Sequence, residues 1–427
     1  MKAAKRLLAE AWPYLGVLVA PVLLLAPFLT GAQVFYWGTP LLQFYPWRYA
    51  ALEALRAGAV PLWNPWLGNG APLLANYQSA LLYPPNWLAL APGLPLDLAL
   101  NWLLVAHIAW TGCGMVALAR TLGYRPLGQA VSGLAFGLSQ YVVARAGFYS
   151  INAALAWVPW IITALDQVLT SDARSRLRAS LWLTAGLSLQ LLAGHAQTTW
   201  YTWLLAGAWA AWRLISTPAT RQRAVLVWVP AAFGLAGLIA AAQLLPTAEY
   251  LRQSPRAEAA GYEFVMTYSF SPWRLLTLIA PDLLGNPARG RFYGYGNYLE
   301  DAVYVGLIPI VLGLATALGA WRRPAAAQND DGPATPDSLP RFLALSLPIT
   351  LVLALGRNTP VFPFLYEHVP TFNLFQAPTR LLVWAVFALA LLGGWGADRW
   401  RAPQGRVLYW TRLGAAGAVS VCLTGVA

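Results

Sequence analysis

Two stretches of this chain hold side chains suited to chemistry. The first runs from Pro61 to Leu88 and reads PLWNPWLGNGAPLLANYQSALLYPPNWL, with no charged residue. Asn64, Asn69, Asn76, Gln78 and Asn86 are interleaved there with Trp63, Trp66, Tyr77, Tyr83 and Trp87. Amide side chains both donate and accept hydrogen bonds, as hydroxyls require. Aromatic faces offer flat apolar surface suited to sugar rings and prenyl tails. Proline and glycine fix irregular backbone between them. Two readings fit: a surface for carbohydrate or a lipid headgroup, or an aromatic loop that fills space over a helix bundle.

The second stretch, 249–300, concentrates charge. Glu249, Glu258, Glu263, Asp282 and Glu300, followed by Asp301, share it with Arg252, Arg256, Arg274, Arg289 and Arg291. Arginine binds phosphate through two parallel donors, and a carboxylate can take the proton of an attacking hydroxyl. The plain alternative is a solvated loop with ordinary surface pairs. Glu249 stands out because QLLPTAEY places it at the end of an apolar run, where ionisable groups are functional candidates. Glu300 and Asp301 open the next apolar run, where acids also simply favour a helix N-terminus. His195, in LLAGHAQTT, fits a polar site residue or a hydrogen-bonded packing histidine. His107 sits mid-run and reads as packing. No His, Cys or carboxylate cluster has metal-ligand spacing, and no Gly-rich phosphate loop is followed by Lys. GRFYGYG, 290–296, has the wrong spacing for a dinucleotide fingerprint.

The elements that must position these residues are helices in a membrane. The chain of 427 residues is 58% hydrophobic and 10% charged, against about 25% charged in soluble domains. The fold class expected is an all-α polytopic integral membrane protein. Its 22 tryptophans and 19 tyrosines suit rings that anchor at the headgroup level. The net charge of +12 is scattered between apolar runs, with no basic stripe, so nucleic acid is not a partner. Cys113 and Cys422 lie in apolar runs and read as small buried residues. Gly133 and Gly137 form a small-xxx-small pair that fits close helix packing.

About 11 transmembrane helices are expected, at 11–30, 97–119, 126–144, 150–169, 179–197, 198–215, 224–248, 301–321, 341–356, 379–397 and 408–427. The first is expected to be an uncleaved helix rather than a signal peptide. Most Lys and Arg fall on the N-terminal side of the membrane, which puts the N-terminus in the cytoplasm by the positive-inside rule. Two long outer loops result, 31–96 and 249–300. A front block, 1–321, is joined by a flexible cytoplasmic linker, 322–340, to a back block, 341–427. The last span ends with the chain, so a truncated sequence is expected. Within loop one, Leu42, Tyr45, Tyr49, Leu52 and Leu55 recur at helical spacing, with Arg48, Glu53 and Arg56 on the polar side. That pattern predicts a short helix lying in the interface plane.

Several segments in order resemble the bacterial YfhO family of membrane proteins. They are LLQFYPWRYAALEALRAGAVPLWNP, GAPLLANYQSALLYPPNWL, LLAGHAQTTWY, QLLPTAEYLRQSPR, FSPWRLLTLIAPDLLG and VPTFNLFQAPTRLLVWAVFALALLGGWGAD, between residues 41 and 398. That family is similar to GT-C glycosyltransferases. The resemblance implies GT-C-like architecture, an active site on the outer side, a polyprenyl-phosphate sugar donor and an envelope polymer or glycan acceptor. Many relatives carry a Gly-Asp pair ahead of the Gln-Phe-Tyr-Pro-Trp segment. Here Tyr36-Trp37-Gly38-Thr39-Pro40 has no acid, so either a carboxylate of loop two, Glu249 or Asp282, replaces it, or the chain has lost catalysis and retains only binding.

The expected function is therefore a glycosyltransferase in the bacterial cytoplasmic membrane. It would move a sugar from the polyprenyl phosphate to the acceptor on the outer face. Glu249, then Asp282, is the expected base. Arg48, Arg274 or Arg380 would hold the phosphate, with Asn64, Trp66, Asn76, Gln78 and His195 around the sugar. No cofactor is called for, and a divalent cation stays open. The alternatives are a transporter or flippase of a lipid-linked glycan, or a non-catalytic envelope-assembly protein.

Overall fold

Apolar runs in this chain fold as helices, and several continue through an internal proline or glycine. The structure, a computed structural model, describes residues 2–91, 93–216, 224–254, 260–294, 296–321 and 338–399, without the side chains of 2–9 and 224. α1 (Lys2–Leu24) contains Pro13 and Pro21, and α2 (Ala26–Leu29) is one turn beyond a break at Leu25. Loop one follows. It holds α3 (Tyr45–Arg56) and a two-residue hairpin of β1 (Trp63–Asn64) with β2 (Ala71–Pro72). α4 (Leu96–Thr121) is the long central helix. Asp97 in its first turn and Arg120 in its last complement the helix dipole.

α5 (Pro126–Gly137) lies against α4 through glycine. A Cβ on Gly137 would sit 2.8 Å from the Gly112 Cα, so only hydrogen lets the backbones approach this closely. α6 (Gln140–Val143), α7 (Tyr149–Leu155) and α8 (Val158–Thr170) follow with short breaks. Asp172 caps α9 (Ala173–Leu192) by accepting from the Ser175 N–H at 2.9 Å. α10 (Ala196–Ile215) returns beside it. α11 (Val229–Ile239) and α12 (Ala241–Arg252) meet at a bend of 72°. Loop two then carries α13 (Tyr262–Met266) and the hairpin of β3 (Gly285–Asn286) with β4 (Arg291–Phe292). α14 (Leu307–Gly319), α15 (Leu339–Ala354), α16 (Val361–His368) and α17 (Val383–Asp398) complete the described chain. The main core cluster runs from Tyr83 through α4, α8 and α10 to α17, and three smaller clusters lie under α3, at the start of α4 and between α1 and α4.

The structure corrects the number of spans. Among the described residues three segments are long and apolar enough to cross a membrane: Leu96–Thr121, Tyr149–Thr170 and Pro378–Asp398. The bent pair Val225–Ile239 and Ala241–Arg252 makes a fourth if it counts as one span. Glu10–Leu24, Leu307–Gly319 and Leu339–Ala354 are apolar but shorter. The expected run 126–144 is cut at Gly137 because Ser139 caps a new helix. The run 301–321 starts late, since Gly306, at φ 98°, begins α14 six residues on. The expected last span, 408–427, and nearly all of the linker, 322–337, lie outside the described residues. The fold is mostly helical and its longest helices have the length and composition of membrane spans, which makes the chain a membrane protein.

Candidate functional site

Loop one is shaped by its own short-range bonds and then fastened to the bundle. Asn64 Oδ1 accepts from the Trp66 N–H at 3.0 Å and turns the β1–β2 hairpin. Asn86 Nδ2 donates to the Ala80 carbonyl at 2.9 Å. The Tyr77 hydroxyl donates to the Leu191 carbonyl at 2.6 Å. Beside it Gly194, at φ 83°, approaches so closely that a Cβ would lie 2.6 Å from the Tyr77 carbonyl oxygen. From the other side Gln243 Nε2 of α12 donates to the Leu74 carbonyl at 2.7 Å, and the Thr247 hydroxyl donates to the Ala75 carbonyl at 3.0 Å. The stretch 74–80 is thus held between the α9–α10 turn and α12.

The predicted amphipathic helix exists. α3 buries Trp47, Arg48, Ala50 and Ala51, while Tyr45, Tyr49 and Leu55 are exposed. Inward positions repeat as Phe44, Trp47, Arg48 and Ala51, at helical spacing. The apolar stripe faces away from the protein, and the face with Arg48 faces in. Leu42, Trp63, Trp66 and Leu67 extend the outward apolar surface, with the Trp66 ring 5.8 Å from that of Tyr49. Gln78 is exposed and Asn76 half-buried.

Loop two is fastened by charge. Glu300, buried to 2% exposure, receives Arg380 through Nε at 2.8 Å and Nη2 at 2.5 Å, with Arg145 Nη2 at 3.6 Å. Arg380 Nη1 donates to Gln197 Oε1 at 2.7 Å, and Gln197 Nε2 donates to the Gln376 carbonyl at 2.5 Å. Burial alone would raise the Glu300 carboxyl. The hydrogen bond and charge of Arg380, with Arg145, outweigh it and hold the group below the ordinary glutamate value. Next to it Asp301 pairs with Arg274 and accepts from the Thr379 hydroxyl at 3.0 Å. Glu300 and Asp301 therefore do not cap a helix, as their place in the sequence suggested. They bolt loop two to α10 and to the start of the Pro378–Asp398 segment.

This lattice supports a carboxylate that stays open. Asp282 is exposed. Its Oδ1 accepts from the Tyr298 hydroxyl at 2.7 Å, and its two oxygens accept from Asn286 Nδ2 at 3.2 and 3.3 Å. Tyr298 in turn accepts from Gln140 Nε2 at 2.7 Å. Burial, then its bond to Asp282, pushes the Tyr298 hydroxyl up to about 12, so it stays a donor at neutral pH. Arg289 and Arg291, both exposed, lie on the hairpin that follows Asp282.

The structure separates the residues singled out from sequence. Asp282 belongs to an ordered polar array. Glu249 is exposed on α12. Arg274 and Arg380 are each committed to a carboxylate. Arg48 is buried beneath α3. His195 caps α10: its Nδ1 accepts from the Thr198 N–H at 3.2 Å. Sequence reasoning passed over Arg145, Gln197, Tyr298 and Gln140. Arg145 carried a usable signal, since a lone charge between two apolar runs needs a partner. Among the described residues no three His, Cys, Asp or Glu side chains gather to hold a metal ion.

No family model matches the chain, and no curated protein matches it. Two crystal structures of ArnT from Cupriavidus metallidurans are similar in part. The apo form superposes with a TM-score of 0.37 at 14% identity, covering 83% of this chain and 73% of that one. The form bound to undecaprenyl phosphate gives 0.33 at 13% identity, with the same coverage. Likeness at this level does not establish a shared fold.

Proposed function

We propose that this chain is a membrane glycosyltransferase of the YfhO kind. It moves a sugar from a polyprenyl-phosphate donor to a cell-envelope acceptor on the outer face of the bacterial cytoplasmic membrane. The observation that carries the reading is Asp282. It is an exposed carboxylate oriented by neutral donors, and it stands beside exposed arginines on the end of the bundle that bears the amide-rich loop.

In this reading the acceptor hydroxyl oxygen attacks the anomeric carbon as the bond from that carbon to the phosphate oxygen breaks. The electron pair leaves with the phosphate, configuration inverts, and the hydroxyl proton passes to Asp282. Arg289 and Arg291 attract the leaving phosphate. Asn76 and Gln78 bond the sugar hydroxyls, and the outward rings of Tyr49, Trp63 and Trp66 lie along the prenyl chain. Glu249 is the second choice of base.

The test is transfer by purified protein in liposomes, from radiolabelled polyprenyl-phosphate sugars to envelope-polymer acceptors. Transfer is expected from the unaltered protein. Asp282→Asn should lower it at least about a hundredfold, the usual worth of a general base, and Glu249→Gln should leave it within a few fold. Donor binding without transfer from any donor would move the assignment to a transporter of lipid-linked glycans.

A further inference from the structure

The stretch PWRLLTLIAPDLL, 272–284, leads up to Asp282 and is apolar except at Arg274, Thr277 and Asp282. Pro272 opens a 3-10 helix, Pro272–Leu278. Side chains three apart eclipse in such a helix, so each ridge has one character. Arg274 and Thr277 form the inward ridge, and both are buried. Arg274 pairs with Asp301, and the Thr277 hydroxyl donates to the Arg274 carbonyl at 2.6 Å. Trp273 and Leu276, with Ile279 just beyond the helix, form the outward ridge. Trp273 is 49% exposed and Ile279 61%, and Leu275 and Leu283 are exposed beside them.

The β3–β4 hairpin continues this surface. Its Phe292 ring lies 5.9 Å from the Arg274 guanidinium carbon, on the inward side. The Tyr293 N–H donates to the Leu284 carbonyl at 2.8 Å, which brings the exposed Tyr293 up to the Leu283–Leu284 step. Arg289 and Arg291 stand exposed at the hairpin turn. Neither is in an ion pair among the described residues.

A contiguous apolar patch of this kind marks an interaction surface, and four observations choose its partner. The helix has seven residues, about 14 Å at about 2 Å per residue, so it does not cross a hydrocarbon core of about 30 Å. It lies along a surface instead. Trp273 and Tyr293, at the two ends of the patch, are residue types of the headgroup boundary. Backbone N–H groups along the stretch are bonded internally, as lipid requires: Arg274 donates to the Ser271 carbonyl at 2.9 Å, Ile279 to Leu276 at 3.0 Å and Leu283 to Ala280 at 3.0 Å. The two unpaired cations complement an anionic headgroup, whereas a second copy of the same face would set like charges together.

We propose that this face of loop two docks in a membrane leaflet containing anionic phospholipid. Trp273, Leu276 and Ile279 lie among the upper acyl chains, and Arg289 and Arg291 lie on headgroup phosphates. Asp282 is then held at headgroup depth, the level at which a prenyl phosphate carries its charge. The docking is read from lipid contact alone, so its failure and that of the transfer reading are distinguishable.

An environment-sensitive fluorophore on Leu276→Cys or Ile279→Cys tests it. The full chain, with Cys113→Ala and Cys422→Ala, is placed in phosphatidylcholine–phosphatidylglycerol nanodiscs. Doxyl-labelled phospholipid should quench both positions, and aqueous iodide neither. Doxyl-phosphatidylglycerol should reach its half-maximal effect at a mole fraction lower than doxyl-phosphatidylcholine, by about fivefold for each arginine engaged. Arg289→Gln with Arg291→Gln should remove that preference. Both replacements are on exposed side chains, and the two label positions check each other. Quenching by iodide would place the ridge in water and overturn the proposal. Protection from both quenchers would mean that protein covers the ridge, and would overturn it too. So would equal reach by the two lipids, or a preference that survives loss of both arginines.

Discussion

Loop one and loop two lie on the same end of the bundle and are held there by opposite means. Neutral bonds hold loop one: Tyr77 to Leu191, Gln243 to Leu74 and Thr247 to Ala75. Ion pairs buried against helices hold loop two: Glu300 with Arg380 and Arg145, Asp301 with Arg274. Both rest on the same two segments. Arg145 reaches loop two with its side chain while its carbonyl takes Asn152, which lines a small cavity together with Arg48 of loop one. The α9–α10 turn takes Tyr77 on one side and, through Gln197, Arg380 on the other. The contrast teaches how rigidity is distributed. Neutral bonds are worth about 1 kcal/mol each and can be lost singly. A broken buried ion pair leaves an uncompensated charge, so loop two holds or fails as a unit.

The largest effect should come from breaking that unit. Glu300→Gln leaves Arg145 and Arg380 without a carboxylate and should destabilise the fold by about 3–5 kcal/mol, read by denaturant unfolding in detergent. The same group gives an acid limb. Its carboxyl is held below the ordinary glutamate value of 4.5. Its contribution is therefore full above that pH and is lost as pH falls through the lower folded value. Glu300→Gln should flatten that part of the stability profile, and an unchanged acid limb would show that the pair is not the fastening.

A smaller effect tests loop one. Gly194→Ala places a Cβ against Tyr77 and Ala80 at a left-handed φ and should cost about 1–3 kcal/mol. Limited proteolysis between residues 60 and 80 should quicken as the stretch lifts. Unchanged cleavage would mean that the α9–α10 turn does not hold it.

Part of this arrangement was legible in sequence. The uncharged amide and aromatic content of loop one and the concentration of charge in loop two are plain from composition. The facing of α3 was not. An amphipathic pattern fixes two faces but not which one meets protein, and next to a membrane the apolar face can point outward. Arg48, on the polar side of the pattern, is buried beneath the helix. Span number also misled, because hydropathy runs through Gly137–Ser139 and Ala240 where the backbone breaks. Arg274 and Arg380 seemed open to phosphate because sequence does not reveal that Asp301 and Glu300 fold against them.

The smallest effect on stability should come from Trp66→Ala. The ring is 61% exposed, so the change should stay within about 0.5 kcal/mol. Transfer from a polyprenyl donor should nevertheless fall several fold if the outward rings cover the prenyl chain. Full transfer would limit those rings to lipid contact.

The most direct test of the central claim, that both loops form one site, is photo-crosslinking with a polyprenyl-phosphate sugar carrying a photoreactive group on the sugar. Peptide mapping should find label in loop one, between residues 63 and 78, and in loop two, between residues 282 and 291. Label confined to one loop, or spread along the helices of the bundle, would contradict it.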